Sequence, residues 1–197
     1  LSTATVIVIT SVGLIIGVMS CSSAKENKST TVLTGLDKLD SIKKGIVAPT
    51  FANKDFPITD YGATKDSTVD ALPASVKAID AASQHAGGGR VVVPQGIYLV
   101  KGPIHLKSHV ELHLDKGARI KFSTEAADYL PVVHTRYEGM EMMNYSPLVY
   151  AYQQTDIALT GEGVLDGQAN NNHWWWWTGS KRFGWKAGMA TEEIPEN

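Results

Sequence analysis

Residues 109–123 read HVELHLDKGARIKFS. Apolar side chains fall at Val110, Leu112 and Leu114, and after Lys116-Gly117 the alternation resumes at Ala118, Ile120 and Phe122. A period of two marks a strand with one buried face. Two such strands stand a few residues apart, with no room for a helix between them. Similar short runs flank them: RVVVP, GIYLV and PIHL before, PLVYAY, DIALTG and GVLDG after. Leu112 matches Leu159, and Ile120 matches Val164, across a non-repeating segment between Thr124 and Pro147. With that segment removed, the repeat is one unit of roughly 20–25 residues, the scale of a stacked solenoid. A unit of about three short strands cannot bury its inner face alone, so units must stack around one core. The expected fold is an all-β parallel β-helix. The competing arrangement is an antiparallel sandwich, whose hairpins favour Asn-Gly or Asp-Gly turns. Asp166-Gly167 is the only such pair in the sequence, and it has no evident partner strand.

One helix interrupts the strand pattern. In STVDALPASVKAIDAASQHA, residues Val76, Ile79, Ala82 and Ala86 have helical spacing, and Gly87-Gly88-Gly89 ends the run. The folded body is expected from residue 56 to 197, behind a polar linker over 22–55. Within the linker, TGLDKLDSIKKGI can form one short helix with Thr34 as its N-cap. Ahead of it, residues 5–20 carry no charge and end at Val18-Met19-Ser20-Cys21. The run is short for a membrane span and fits a secretory signal core over 1–21. The sequence around Cys21 resembles a bacterial lipobox, which makes Cys21 the expected lipid-attachment site. Acyl chains would then hold the protein to a membrane, at about 0.8 kcal/mol per buried CH2.

Composition removes some alternatives. A net charge of −2 with mixed signs gives no basic stripe, so no nucleic-acid partner is expected. One cysteine precludes an intrachain disulfide framework. No metal-ligand or cofactor motif is evident, and a monomer is expected.

Recognition chemistry concentrates in two places. The segment TEAADYLPVVHTRYEGMEMMNYSP holds Arg136, Glu138, Glu141, Asn144 and Tyr145. Insertions in solenoids project from one face, often the binding face. A guanidinium can fork onto a carboxylate, and aromatic faces can stack on sugar rings, so these residues suit an anionic sugar. The bland alternative is a surface loop held by an Arg–Glu pair. The second place is NNNHWWWWTGSKRFGW, from which Trp175 is taken as a saccharide platform. On a strand, four tryptophans cannot face one way, so some are expected to form a buried clasp.

Together, FPITDYGA, GGGRVVVPQGIYLVKGPIHLKSHVELHLDKGARIKFS, YLPVV, RYEGMEMMNYSPLVYA and IALTGEGVLDGQ…HWWWW resemble the polygalacturonase family of glycoside hydrolases, especially its bacterial, lipid-anchored members. The resemblance runs from about Phe56 to the end of the chain. It implies a right-handed parallel β-helix that hydrolyses α-1,4-galacturonosyl linkages of pectin with inversion, with a short helix capping its N-terminal end. The RYEGMEMMNYSP loop would border the substrate cleft, and an exo mode of attack is one expectation. Export to a bacterial outer membrane, cell surface or periplasm follows from the same resemblance. Tyr137 stands where many relatives have tryptophan.

The family's catalytic pattern combines Asn-x-Asp, Asp-Asp, Gly-His-Gly and Arg-x-Lys. Asp-Asp and Gly-His-Gly do not occur in the sequence. Asn53-Lys54-Asp55 precedes the body, and Arg119-Ile120-Lys121 lies on an early coil, where outward solvated charges account for it. No catalytic residue is therefore assigned, and the expected motifs lie beyond Asn197. The alternatives are a calcium-dependent pectate lyase, for which no calcium-type loop is seen, and a non-catalytic glycan-binding β-helix. The rhamno- or xylogalacturonan variants of the substrate stay open. These 197 residues alone are expected to release no reducing sugar from polygalacturonate, and clear release would contradict that reading.

Overall fold

The structure is a computed structural model and describes residues 35–189. It divides into two compact units, residues 1–46 and 47–197. The described part of the first is a helix, α1 (Gly35–Gly45), with no buried residue. No helix among the described residues is long and apolar enough to cross a membrane. The signal-like run and Cys21 lie outside the described residues.

The second unit starts with β1 (Asp55–Pro57) and a 3-10 turn, Ile58–Tyr61, which lead to α2 (Leu72–Gln84). The first full coil is β2 (Gly89–Val93), β3 (Gly96–Val100) and β4 (Ile104–His105). The next is β5 (Val110–Leu114) and β6 (Ala118–Phe122), followed by the inserted β7 (Val133–Tyr137) and β8 (Met140–Asn144), then β9 (Val149–Tyr150). β10 (Ala158–Gly161) and β11 (Val164–Asp166) follow. The strands stack into three sheets in the orders β1-β2-β5-β10, β3-β6-β11 and β4-β9. Every pairing in these sheets is parallel. This is a parallel β-helix, as the alternation predicts.

Register explains the alternation. Val91, Leu112 and Leu159 are consecutive partners in the first sheet, and Tyr98, Ile120 and Leu165 in the second. Val91, Tyr98, Leu112 and Ile120 are buried in one core cluster. The aliphatic side chains among them, Val91, Leu112 and Ile120, each contribute about 1.5–3 kcal/mol on burial. One expected match shifts: Ile120 pairs with Leu165, and Val164 pairs with Arg119. The Glu162-Gly163 turn is shorter than Asp115-Lys116-Gly117, so Gly163 takes the place above Ala118. A Cβ on Gly163 would collide with the Leu114 side chain and the Ala118 carbonyl.

Helix α2 packs against β1, β2 and β4, and so covers the interior of the first coil. It buries Ala74, Ser75, Ala78, Ile79 and Ala82. Val76 and Ala86, which the spacing places inside, are exposed. The buried stripe follows the alanines because small side chains let the helix sit close on the strands. Asp70 Oδ1 accepts from Leu72 N at 2.9 Å and Lys101 N at 3.0 Å, which ties the start of the helix to the end of β3.

The candidate catalytic motifs have structural partners. Arg90 donates from Nε and Nη2 to Asp55 at 2.8 and 2.9 Å, so Asp55 belongs to a cross-strand ion pair between β2 and β1. Arg119 donates to Asp166 at 2.9 Å, one strand away, while Ile120 points into the core. Inside the coil, Tyr98 is wholly buried, and its hydroxyl has no hydrogen-bond partner among the described residues.

Three outcomes are expected. Tyr98→Phe removes an unsatisfied buried hydroxyl and leaves stability unchanged or raises it by up to about 1 kcal/mol in urea denaturation; a clear loss would show the hydroxyl to be satisfied. Gly161 has φ +98° and faces the Leu114 carbonyl, so Gly161→Ala costs about 1–3 kcal/mol by the same measurement. The third concerns pH. The hydrogen bond from Arg90 holds the Asp55 carboxyl below its ordinary value, and the Gln168 backbone N–H, then Arg119, do so for Asp166. Both folded values lie below the unfolded value, so this stabilisation is complete above the ordinary carboxylate range. It is lost as pH falls through the folded values, from about pH 5 downward. Asp55→Asn with Asp166→Asn should flatten that part of the stability curve.

Candidate functional site

Between β6 and β9 the coil leaves its repeat and builds a wall. β7 and β8 form an antiparallel hairpin in which Arg136 pairs with Glu141 and Tyr137 with Met140. Glu138 and Gly139 have φ of 48° and 88°, as a two-residue hairpin turn requires. The insertion is therefore ordered strand and turn rather than the long irregular loop the sequence suggests. Its signal is the VHTRY run before Glu138-Gly139, a turn pair outside the Asn-Gly and Asp-Gly set. Tyr150 donates its hydroxyl to the His134 carbonyl at 2.7 Å, which ties the hairpin to the third sheet. Tyr129 is buried and donates to the Ser123 carbonyl at 2.6 Å, fixing the start of the excursion. Burial pushes the Tyr129 phenol well above its ordinary pKa.

The tryptophan run faces the hairpin. It is a 3-10 turn over Trp175–Thr178, entered through Trp174 at φ 65°, ψ −50°. Trp175 N donates to the His173 carbonyl at 2.7 Å, closing a strained three-residue turn around Trp174. Trp174 Nε1 donates to the Gly167 carbonyl at 2.9 Å, and its ring packs on Tyr129 and Trp177. Trp174, Trp176 and Trp177 pack on one another half-buried, so a clasp forms but none of the four is buried as expected. Trp175 is 44% exposed and lies edge-on to Phe183, away from the hairpin.

Two cavities meet along Tyr145, Pro147 and Trp177. One, of about 290 Å3, is apolar and lined by Tyr129, Leu148 and Trp174. The other, of about 630 Å3, lies against the hairpin and is lined by Arg136, Tyr137, Glu138, Met142, Asn144 and Thr178. Arg136, Glu138, Asn144 and Tyr145 thus border one space. Glu141 does not line it: its carboxylate lies 3.7 Å from His134 Nε2, on the opposite face of the hairpin. Trp175 is likewise outside, and Trp177, not singled out in the sequence, takes that place. Only register in the 3-10 turn distinguishes the four tryptophans, and no alternation rule reads it.

The groups in the larger cavity are those of recognition. Arg136 forms no ion pair among the described residues, so its charge is available to an anion. Asn144 Oδ1 accepts from Tyr145 N at 2.8 Å, which leaves its amide nitrogen turned toward Met142 Sδ at 3.5 Å. Trp177 Nε1 is buried and has no hydrogen-bond partner among the described residues. Among those residues no group of three or more His, Cys, Asp or Glu side chains could hold a metal ion.

Comparison with known proteins agrees with this architecture. The structure of an exopolygalacturonase from Thermotoga maritima superposes with a TM-score of 0.72 and 46% identity, covering 77% of this chain and 33% of that one. An exo-poly-alpha-D-galacturonosidase of Dickeya chrysanthemi is 34% identical over 118 residues, 56% of this chain and 19% of its own length. The plasmin and fibronectin-binding protein A of Streptococcus pneumoniae is 42% identical over 98 residues, 50% of this chain and 13% of its own. The chain thus spans a minor part of each relative. The stacked coils are those of a right-handed parallel β-helix of the pectin-lyase-like type. A family model described as "Rhamnogalacturonase A/epimerase, pectate lyase-like" matches residues 56–175, from β1 to the tryptophan turn, and the chain belongs to that family.

Proposed function

We propose that this chain forms the N-terminal coils and a substrate-binding wall of a glycoside hydrolase that cleaves α-1,4-galacturonosyl linkages in pectin. The observation that carries the reading is the open cavity between hairpin and tryptophan turn, with Arg136 uncompensated beside Tyr145 and Trp177, on a β-helix 46% identical to an exopolygalacturonase. A uronate offers what that wall lacks: a carboxylate for the guanidinium and a C–H face for the indole. Glu138 and Asn144 would take hydroxyl groups. None of these side chains is given a part in bond cleavage. Inversion needs an acid and a base carboxylate about 6.5–9.5 Å apart around the scissile bond, and no residue of this chain is assigned to that pair. Exo attack is proposed on the similarity to exo-acting relatives. We further propose that the protein is exported and lipid-anchored through Cys21, working as a monomer at a bacterial surface or in the periplasm.

The relative that binds plasmin and fibronectin favours a second reading, a surface binding module without turnover. One set of measurements separates the readings. The protein at its full natural length is expected to release reducing ends from polygalacturonate without an unsaturated, ultraviolet-absorbing product. Arg136→Ala should raise KM about tenfold with kcat nearly unchanged, the mark of lost uniform binding. An unsaturated product would indicate a lyase. Binding without turnover would indicate the adhesin-like module. Cys21→Ser should move the protein from the membrane to the soluble fraction.

A further inference from the structure

The hairpin has a second face, turned away from the cavity toward the third sheet. His105 on β4 and Tyr150 on β9 are cross-strand partners there. Their neighbour Ile104 is buried, so alternation sends both rings outward. The rings lie 5.1 Å apart. Tyr152 follows two residues beyond the end of β9, its ring 6.5 Å from that of Tyr150 with the planes 6° apart. His134 of β7 continues the row, 5.2 Å from Tyr152.

The row is held in place before any ligand arrives. The Tyr150 hydroxyl is bonded to the His134 carbonyl at 2.7 Å. His105 Nε2 is hydrogen-bonded with Ser146 Oγ at 3.2 Å. Fixed rings leave little side-chain entropy to lose on binding. The end of the row is open: Tyr152 is 47% exposed, and its hydroxyl meets Gln153 Nε2 at 3.5 Å.

The rim is polar and carries a cation. Hairpin register puts Arg136 and Glu141 on the same face as His134. Glu141 lies beside His134 at 3.7 Å, while Arg136 has no ion pair among the described residues. The two tyrosine planes are within 6° of parallel, and the histidine rings tilt from them by 54° and 52°. This aromatic row, edged by donors, acceptors and one positive charge, suits one ligand class. A pyranose presents C–H bonds on its face and hydroxyls around its edge, and an acidic sugar adds a carboxylate.

We propose that the row His105–Tyr150–Tyr152–His134 is a stacking platform for an acidic oligosaccharide, with the two tyrosines under the sugar face and Arg136 at its carboxylate. The class of sugar rests on the galacturonan reading. The four rings line neither cavity, while Arg136, on the His134 face by register, also reaches the larger one and is shared between the two surfaces. The platform would extend the bound chain past the hairpin, along the outer face of the third sheet.

The test is binding of trigalacturonate, and of neutral galactotriose, by calorimetry and saturation-transfer NMR. The parent should bind trigalacturonate, with saturation passing from aromatic protons to pyranose C–H protons. Tyr152→Ala should weaken binding about tenfold, Tyr152→Phe should stay within about twofold, and neither should move the thermal midpoint. Galactotriose should bind more weakly, and Arg136→Gln should narrow that difference. A parent that binds trigalacturonate no better than Tyr152→Ala does overturns the platform alone. A parent that binds no galacturonate overturns both the platform and the galacturonan reading. Equal binding of the two sugars removes Arg136 from the site.

Discussion

Parallel pairing in register is the constraint on which everything else in the β-helix rests. Each strand of one coil places its inward residue on the inward residue of the coil below. Val91, Leu112 and Leu159 form one such column, and Tyr98, Ile120 and Leu165 another. A shift of one residue would send a whole column to solvent and bring Glu111 or Arg119 inside. The ion pairs on the outer faces, Arg90 with Asp55 and Arg119 with Asp166, read out the same register. They are exposed, and such pairs contribute about 0–1 kcal/mol each. The columns supply the stability, and the charges report it.

The regularity also determines where recognition can occur. A coil whose inner residues are all committed to stacking leaves two places for ligand chemistry: the outer faces and the excursions from the repeat. Here both are used at one edge. The hairpin leaves between β6 and β9; Tyr129 is bonded back to Ser123 ahead of it, and Tyr150 ties its first strand to the third sheet. It stands with one face toward the tryptophan turn and the other toward the third sheet. Because alternate residues of a strand point to opposite sides, one hairpin can serve two surfaces: Tyr137, Met142 and Asn144 toward the cavity, His134 and Glu141 toward the tyrosine row. Strain collects at the same edge, in Trp174 and in the Glu138-Gly139 turn.

Much of this is legible in the sequence because burial leaves a periodic trace. The alternation in HVELHLDKGARIKFS and the equivalence of Leu112 with Leu159 lead directly to the parallel coils. The Ile120 match slips by one residue because the Glu162-Gly163 turn is shorter than its counterpart, and turns carry no periodicity. Apolar spacing puts Val76 inside α2, yet the close approach of the helix favours the alanines at 74, 78 and 82. At the site, Arg136, Glu138, Asn144 and Tyr145 stand out by their chemistry, which sequence shows. Glu141 and Trp175 turn elsewhere, and the tyrosine row leaves no sequence signal. Which way a residue faces in a hairpin or a 3-10 turn depends on where the turn falls. The row itself joins His105, His134 and Tyr150 from three strands, which only the folded chain brings together.

The register can be measured without any ligand. In a backbone-assigned NMR spectrum, parallel pairing predicts interstrand amide contacts linking the neighbours of Val91 to those of Leu112, and of Leu112 to those of Leu159. The same pattern should run from Tyr98 through Ile120 to Leu165, with no short contacts between α-protons across these pairs. Short α-proton contacts between β2 and β5 or between β5 and β10 would mean antiparallel strands, and both the solenoid and the sites built on its edge would fall with them.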